Sequence, residues 1–259
     1  MRPFLFSIGS TQIPSFFFFL MVATLAATFY MYWIAKKEGY RPEVVLDMGM
    51  IGMVAGVIGS RIFHILVEAP AYYWEKPMRV FEFWRGGFVS YGGFIGIVLS
   101  LWIYFRVRKL SATEYYDLLA VGAPLIKFFV RVACLLTGCC YGKPTDLPWA
   151  IVFTDPKSTA YYFYPHTHLH PTQIYSMIHA ILLFFLVNWV YRHRKFPGQT
   201  ACVLVMGWTI PRAIIESFRG DVDRGVYFSG LISTAQITGV TIFIIAVLVY
   251  TYLKKRHEK

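Results

Sequence analysis

The sequence predicts an all-α polytopic membrane protein with about seven transmembrane helices and a small periplasmic head between the fourth and fifth of them. Three observations carry this. Of the 259 residues, 57% are hydrophobic and 19% aromatic, and the apolar residues fall in runs too long for a soluble core. A helix needs about 20 apolar residues to cross the hydrocarbon, and runs of that order lie at 14–35, 45–67, 87–105, 117–137, 171–190, 200–217 and 231–252. Basic residues gather in short clusters on alternate loops between them.

The first run is too long for a cleaved leader and no small-residue cleavage site follows it, so the first segment is expected to stay in the membrane. Lys36, Lys37 and Arg41 follow the first span, and Arg106, Arg108 and Lys109 the third. Arg192, Arg194 and Lys195 follow the fifth, and Lys254, Lys255 and Arg256 the last. With seven spans, all four clusters fall on one side, which the positive-inside rule makes cytoplasmic. The N-terminus is then periplasmic and the C-terminus cytoplasmic, in a bacterial inner membrane. A net charge of +11 does not imply nucleic acid, because a binder of that kind collects its basic residues on one solvated face.

Gly52, Gly56, Gly59 and Ser60 in the second span face the prospect of close packing with Gly92, Gly93 and Gly96 in the third, since small residues let membrane helices approach. The segment 138–170 carries Pro144, Pro148 and Pro165 among Tyr and Trp residues and is read as a head at the interface, where aromatic rings are favoured. The whole chain, 1–259, is otherwise read as one transmembrane catalytic domain. Cys134, Cys139, Cys140 and Cys202 lack the spacing of a zinc site or a disulfide framework. Cys139 and Cys140 are therefore expected to be packing residues, neither catalytic nor metal ligands. His166, His168 and His170 alternate in the head without a Cys or acidic neighbour at ligand spacing, which favours a loop role over metal binding.

Ionisable groups inside spans are costly and point to function. Arg61, Arg131 and Arg212 come late in outward-running spans, while Tyr91 and Gln173 come early in inward-running ones. Arg85, His170, Glu216 and Arg219 sit at the same boundary, so polar groups from five spans converge on the outer leaflet. Several guanidiniums at headgroup depth suit a phosphate, which Arg holds with a planar, permanently charged fork. The simpler alternative is that each Arg snorkels or pairs with a carboxylate, as the i, i+4 spacing of Arg212 and Glu216 allows. A transporter would instead spread polar residues, Lys127 included, through the full depth, and a scaffold would need no such set.

Four segments, in order, resemble motifs of the phosphatidylglycerol:prolipoprotein diacylglyceryl transferase family. Trp84-Arg85-Gly86-Gly87-Phe88-Val89-Ser90-Tyr91-Gly92-Gly93-Phe94-Ile95-Gly96 is similar to its W-x-G-G element. The run from Arg131 through Gly138-Cys139-Cys140-Tyr141-Gly142-Lys143-Pro144-Thr145-Asp146-Leu147-Pro148-Trp149 resembles its signature. His170-Pro171-Thr172-Gln173-Ile174-Tyr175 resembles H-P-(S/T)-Q-(L/I)-Y, and Arg212 to Arg219 resembles R-F-x-x-E-F-F-R. The resemblance implies that the lipobox cysteine of a prolipoprotein attacks the glyceryl carbon of phosphatidylglycerol, forming a thioether and releasing glycerol phosphate, with no metal or other cofactor required. It also implies roles. Arg131 and Arg212 would hold the phosphate, supported by Arg85 and Arg219, and Arg61, His170, Gln173, Gly92 and Gly93 would complete the substrate site. Tyr91 and Glu216 are the candidates for proton transfer, Tyr91 by position and Glu216 because burial lets a carboxylate hold a proton more readily. The chain departs from the family pattern at Tyr91 (commonly His), Val130 (Gly), Cys139 (acidic) and Trp208 (Tyr).

Overall fold

Long helices and apolar sequence coincide. The computed structural model describes residues 2–8, 11–82, 87, 89–220, 226–227 and 232–258. Arg85 lies outside the described residues, and of Tyr91 only the backbone is described. A short antiparallel pair, β1 (Phe4–Ile8) and β2 (Thr11–Pro14), precedes α1 (Ser15–Glu38) and α2 (Pro42–Phe63). A π-turn at His64–Glu68, the short α3 (Pro70–Glu75) and a 3₁₀ turn follow, then α4 (Ser90–Val107) and α5 (Ala112–Thr137). Next come β3 (Ile151–Val152), α6 (Thr159–Phe163), β4 (His168–Leu169), α7 (Thr172–Arg192) and α8 (Gln199–Ser217). The pair β5 (Val226–Tyr227) and β6 (Ile232–Ser233) leads into α9 (Thr234–His257).

Among the described residues, five helices are long and apolar enough to cross a membrane: Ser15–Glu38, Pro42–Val67, Ala112–Thr137, Thr172–Arg192 and Gln236–His257. The all-α polytopic reading holds, while the seven-span count rests on two helices that miss this standard. Gly92–Val107 is apolar but short, and α8 carries Gln199, Arg212 and Glu216 within its length. The membrane also shows in how the helices bury their faces. In α7 the buried stripe holds Thr172, Gln173, Ser176, His179 and Asn188, whereas Leu182 and Phe185 remain 64% and 65% exposed. A water-soluble amphipathic helix does the reverse, so the solvent that this helix is built for is lipid.

The chain forms two compact units, Tyr32–Ala112 and the combination of Met1–Met31 with Thr113–Lys259. In the first, α2 and α4 pack along the expected small-residue seam. A Cβ built on Gly59 would lie 2.4 Å from the Gly92 carbonyl, one on Gly92 equally close to the Gly59 carbonyl, and one on Gly93 2.5 Å from Ser60 Oγ. Hydrogen in place of a side chain is what permits the contact.

In the second unit, Asp117 of α5 is fully buried and accepts the Gly198 and Ala201 backbone N–H groups, both at 2.8 Å. A carboxylate on the open N–H groups of a helix start satisfies donors that the helix cannot and favours its dipole, so Asp117 fixes where α8 begins. Ser233 and Gln236 form a reciprocal capping box that starts α9, and the Gln236 amide reaches the Ser217 hydroxyl at the end of α8. Between α5 and α7, Tyr141, Phe153, Ala160 and Leu169 form a small core of their own. The segment read as a head is therefore ordered by packing.

Candidate functional site

The last turns of α5 and α8 supply the charges. Arg212 donates to Glu216 Oε2 one turn on, and Arg219, just past the helix end, reaches the same oxygen at 3.4 Å. The Glu216 side chain is 3% exposed. Arg131 of α5 lies within electrostatic reach of Arg212, as does Arg219, and Arg131 and Arg219 both act on Cys140. Three guanidiniums thus share one neighbourhood with one carboxylate. The Arg131 side chain makes no hydrogen bond or ion pair among the described residues. A partly buried guanidinium with no protein partner is poised for an anion.

The loop after α5 is knitted between two other motif segments. Gly142 N–H donates to the His170 carbonyl at 3.1 Å and His170 N–H returns to the Lys143 carbonyl at 3.0 Å. On the other side, Lys143 N–H donates to the Phe218 carbonyl at 2.8 Å and Gly220 N–H to the Tyr141 carbonyl at 3.0 Å. Three motifs distant in sequence become neighbouring backbones with Gly142 at the centre. A Cβ there would sit 2.4 Å from both the Cβ and the carbonyl oxygen of His170, so the approach requires glycine. The His170 ring packs on Phe218 and bonds the Tyr175 hydroxyl at 3.2 Å, which also accepts the Trp149 indole N–H at 2.8 Å. Gln173 is fully buried and donates to the Cys139 carbonyl at 2.8 Å. Its Oε1 has no partner among the described residues.

One turn before Arg131, Lys127 is 5% exposed, with Nζ 2.6 Å from His179 Nδ1 and 4.0 Å from the centre of the Trp208 ring. His179 Nε2 meets the Gly207 carbonyl at 2.9 Å. The Trp208 that departs from the family's Tyr thus covers the Lys127 side-chain nitrogen. No spacing rule reports this pair, because Lys127 and His179 lie on different helices.

The thiols of Cys134, Cys139 and Cys140 also converge, their sulfurs all within 4.8 Å of one another. Linear spacing concealed this, because the chain leaves α5 at Gly138 with φ +68° and Cys140 has φ 55°, folding the third cysteine back on the first. Hydrogen bonds from the other two thiols, with Arg131 and Arg219 nearby, draw the Cys140 thiol well below its usual range, against the opposing effect of burial.

Of the residues expected to act, Arg131, Arg212, Glu216, Arg219, His170 and Gln173 belong to this unit, and the backbone weave brings their motifs together. Arg61, Gly92 and Gly93 belong to the other unit. The Arg61 guanidinium donates to the carbonyls of Arg79 at 2.7 Å and Glu82 at 3.2 Å and lies within 3.4 Å of those of Val80 and Gly87. That geometry ties a loop together and leaves little fork for a phosphate. A cavity of about 280 Å³ adjoins it, lined by His64, Tyr72, Tyr73 and Arg79 among others. The histidines of the head diverge: His166 meets Tyr161, His168 is exposed on β4, and His170 faces Tyr175 and Phe218.

The family model described as prolipoprotein diacylglyceryl transferase matches residues 3–252. A phosphatidylglycerol–prolipoprotein diacylglyceryl transferase of Clostridium tetani is 32% identical over 259 residues, covering 100% of each chain. A second relative of that name, from Clostridium perfringens, is 30% identical and covers 100% of this chain and 98% of its own. One from Corynebacterium efficiens is 31% identical over 242 residues, 87% of this chain and 74% of its own.

Proposed function

The chain belongs to the prolipoprotein diacylglyceryl transferase family, and on that premise we propose that its arginine cluster holds the phosphate of phosphatidylglycerol during transfer. The enzyme is a transferase of a multi-pass bacterial inner membrane protein family and carries out the first step of lipoprotein maturation. The lipobox cysteine thiol of a prolipoprotein attacks the glyceryl carbon, an S–C bond forms, the C–O bond to phosphate breaks, and glycerol phosphate leaves.

Arg131 carries this reading: a guanidinium without a protein partner among the described residues, beside two others that share a single carboxylate. The leaving phosphate gains charge as the C–O bond breaks, and fixed guanidiniums stabilise that charge without reorganising. Arg212 and Arg219 supply the remaining field, oriented by Glu216. Since Glu216 Oε2 is engaged by both guanidiniums, its geometry suits positioning better than proton transfer, and Tyr91, by its place in the motif, is left as the candidate for proton transfer, its phenol passing a proton on as it receives one. Gln173 Oε1 offers a buried acceptor to a headgroup hydroxyl. Arg85, Gly92 and Gly93 are assigned to the lipid by motif position alone. The head and N-terminus face the periplasm, where the substrate cysteine is presented.

The test incubates purified protein with phosphatidylglycerol vesicles and a lipobox peptide. The peptide's mass should rise by one diacylglyceryl group, and the Cys→Ser peptide should stay unmodified. An unchanged mass with folded, lipid-bound protein would refute the assignment.

A further inference from the structure

We infer that Cys134, Cys139 and Cys140 form a site for a thiophilic d¹⁰ divalent cation such as Zn(II), whose remaining position takes the substrate thiol. This deepens the transferase reading and rests on it, and it revises the expectation that these cysteines are plain packing residues.

The first support is geometric. Zinc–thiolate bonds of about 2.3 Å place tetrahedral sulfurs about 3.8 Å apart, and the three sulfurs here already lie within 4.8 Å of one another. Small side-chain rotations close the remainder. The second support is that the backbone is built to hold them. Cys139 N–H donates to the Cys134 carbonyl at 3.1 Å, the Cys139 carbonyl accepts Gln173, and the Cys140 carbonyl accepts the Thr172 hydroxyl at 2.6 Å. Cys140 adopts a left-handed conformation that side chains with a Cβ seldom take, and such outliers cluster where a site over-determines them. The third is charge. Three thiolates and a divalent cation carry a net negative charge, and Arg131 and Arg219, both acting on Cys140, offset it.

Three protein ligands leave one coordination position open, the arrangement of catalytic rather than structural zinc. A thiol entering that position becomes acidic enough to give its proton to the group that handles proton transfer in the transferase reading, Tyr91, or through it to solvent, and becomes a metal-bound thiolate, the nucleophilic form. It then attacks the glyceryl carbon, the C–O electron pair leaves with the phosphate, and the neutral thioether, a poorer ligand than a thiolate, departs. No electron is exchanged with the cation. The position is apt because the arginines proposed to hold the phosphate border the same thiols, placing nucleophile and leaving group in one neighbourhood. It also gives a chain with Tyr in place of His, and Cys in place of an acidic residue, another means of activating the thiol.

The experiment titrates full-length reduced protein in detergent with Cd(II) and Co(II), following thiolate-to-metal charge transfer, then adds the lipobox peptide. The expected result is one equivalent bound, slower alkylation of Cys134, Cys139 and Cys140 in the metal-loaded folded protein than in the metal-free folded protein with Cys202 unaffected by metal, and a change in the Co(II) ligand-field bands on adding the Cys peptide but not its Ser analogue. The Cys134→Ser/Cys139→Ser/Cys140→Ser variant should bind no metal. Absence of stoichiometric binding, or a disulfide joining two of the three in protein isolated under thiol-blocking conditions, would overturn the site. Binding without a response to peptide, or full transfer by metal-free protein, would overturn the thiol role while leaving the transferase reading intact. Failure of transfer by metal-loaded and metal-free protein alike would instead count against the transferase reading.

Discussion

Lys127 and His179 are joined through Nζ and Nδ1 at 2.6 Å, one helical turn before Arg131, with Trp208, one turn before Arg212, closing over the lysine nitrogen. The two rungs run side by side, Lys127 with Trp208 and Arg131 with Arg212. The lower rung buries polar groups that are satisfied chiefly by each other. Removing one partner leaves the other without its hydrogen bond, whereas replacing both with apolar groups of similar shape can be nearly neutral. Lys127→Met is therefore expected to cost about 1–3 kcal/mol, and Lys127→Met combined with His179→Phe markedly less than the sum of the single changes. Thermal unfolding in detergent measures the cycle. Additive losses would show that the two residues act separately.

Gly142 gives a sharper test of how the site is assembled. Its missing Cβ lets the cysteine loop pass between the His170 and Phe218 segments. Gly142→Ala should force those backbones apart at a cost of about 1–3 kcal/mol or more, lowering both folded yield and turnover. Gly52→Ala is the control, since a Cβ there would meet only Ile97 Cγ2 at 4.0 Å. The comparison fails if the two variants are equally stable.

What was legible in the sequence was whatever repeats along one element. The long helices, the Gly59–Gly92 seam and the Arg212–Glu216 pair follow from apolar runs, small-residue periodicity and i, i+4 spacing. Arg61 illustrates the limit, because its depth in a span suggested lipid, while its actual partners are carbonyls of residues 79–87 that no pattern could place. The cysteine trio and the Lys127–His179 pair were hidden for the same reason. A left-handed turn brings the first together and a helix–helix contact the second, and neither leaves a mark in linear spacing. Asp117, which no motif or spacing singles out, anchors the start of a different helix.

Topology follows from charge. If α4 and α8 cross the membrane despite their length and polarity, the four basic clusters share the cytoplasmic side. Alkaline phosphatase fused after Lys259 should be inactive, and a fusion after Asp155 in the head should be active. An active C-terminal fusion would place the arginine cluster in the inner leaflet, away from the lipid supply and the translocated cysteine that the proposed reaction needs.

The phosphate assignment turns on the guanidinium's shape as well as its charge. Lys at position 131 or 212 preserves the positive charge but loses the planar fork, and at a site that grips phosphate through two parallel bonds this is not a conservative change. Loss of one preorganised donor to transition-state charge costs about 10²–10³ in rate, so Arg131→Lys and Arg212→Lys should each lower turnover by that order. The two should differ in stability. Arg131 has no ion-pair partner to lose among the described residues, so its variant should insert and purify at normal abundance. Arg212→Lys disturbs the contact with buried Glu216, so a modest drop in melting temperature should accompany its loss of rate. Measuring turnover beside membrane abundance separates these effects. Near-normal turnover in both Lys variants would show that the cluster supplies diffuse positive charge only, and the two-bond grip on the phosphate would have to be abandoned.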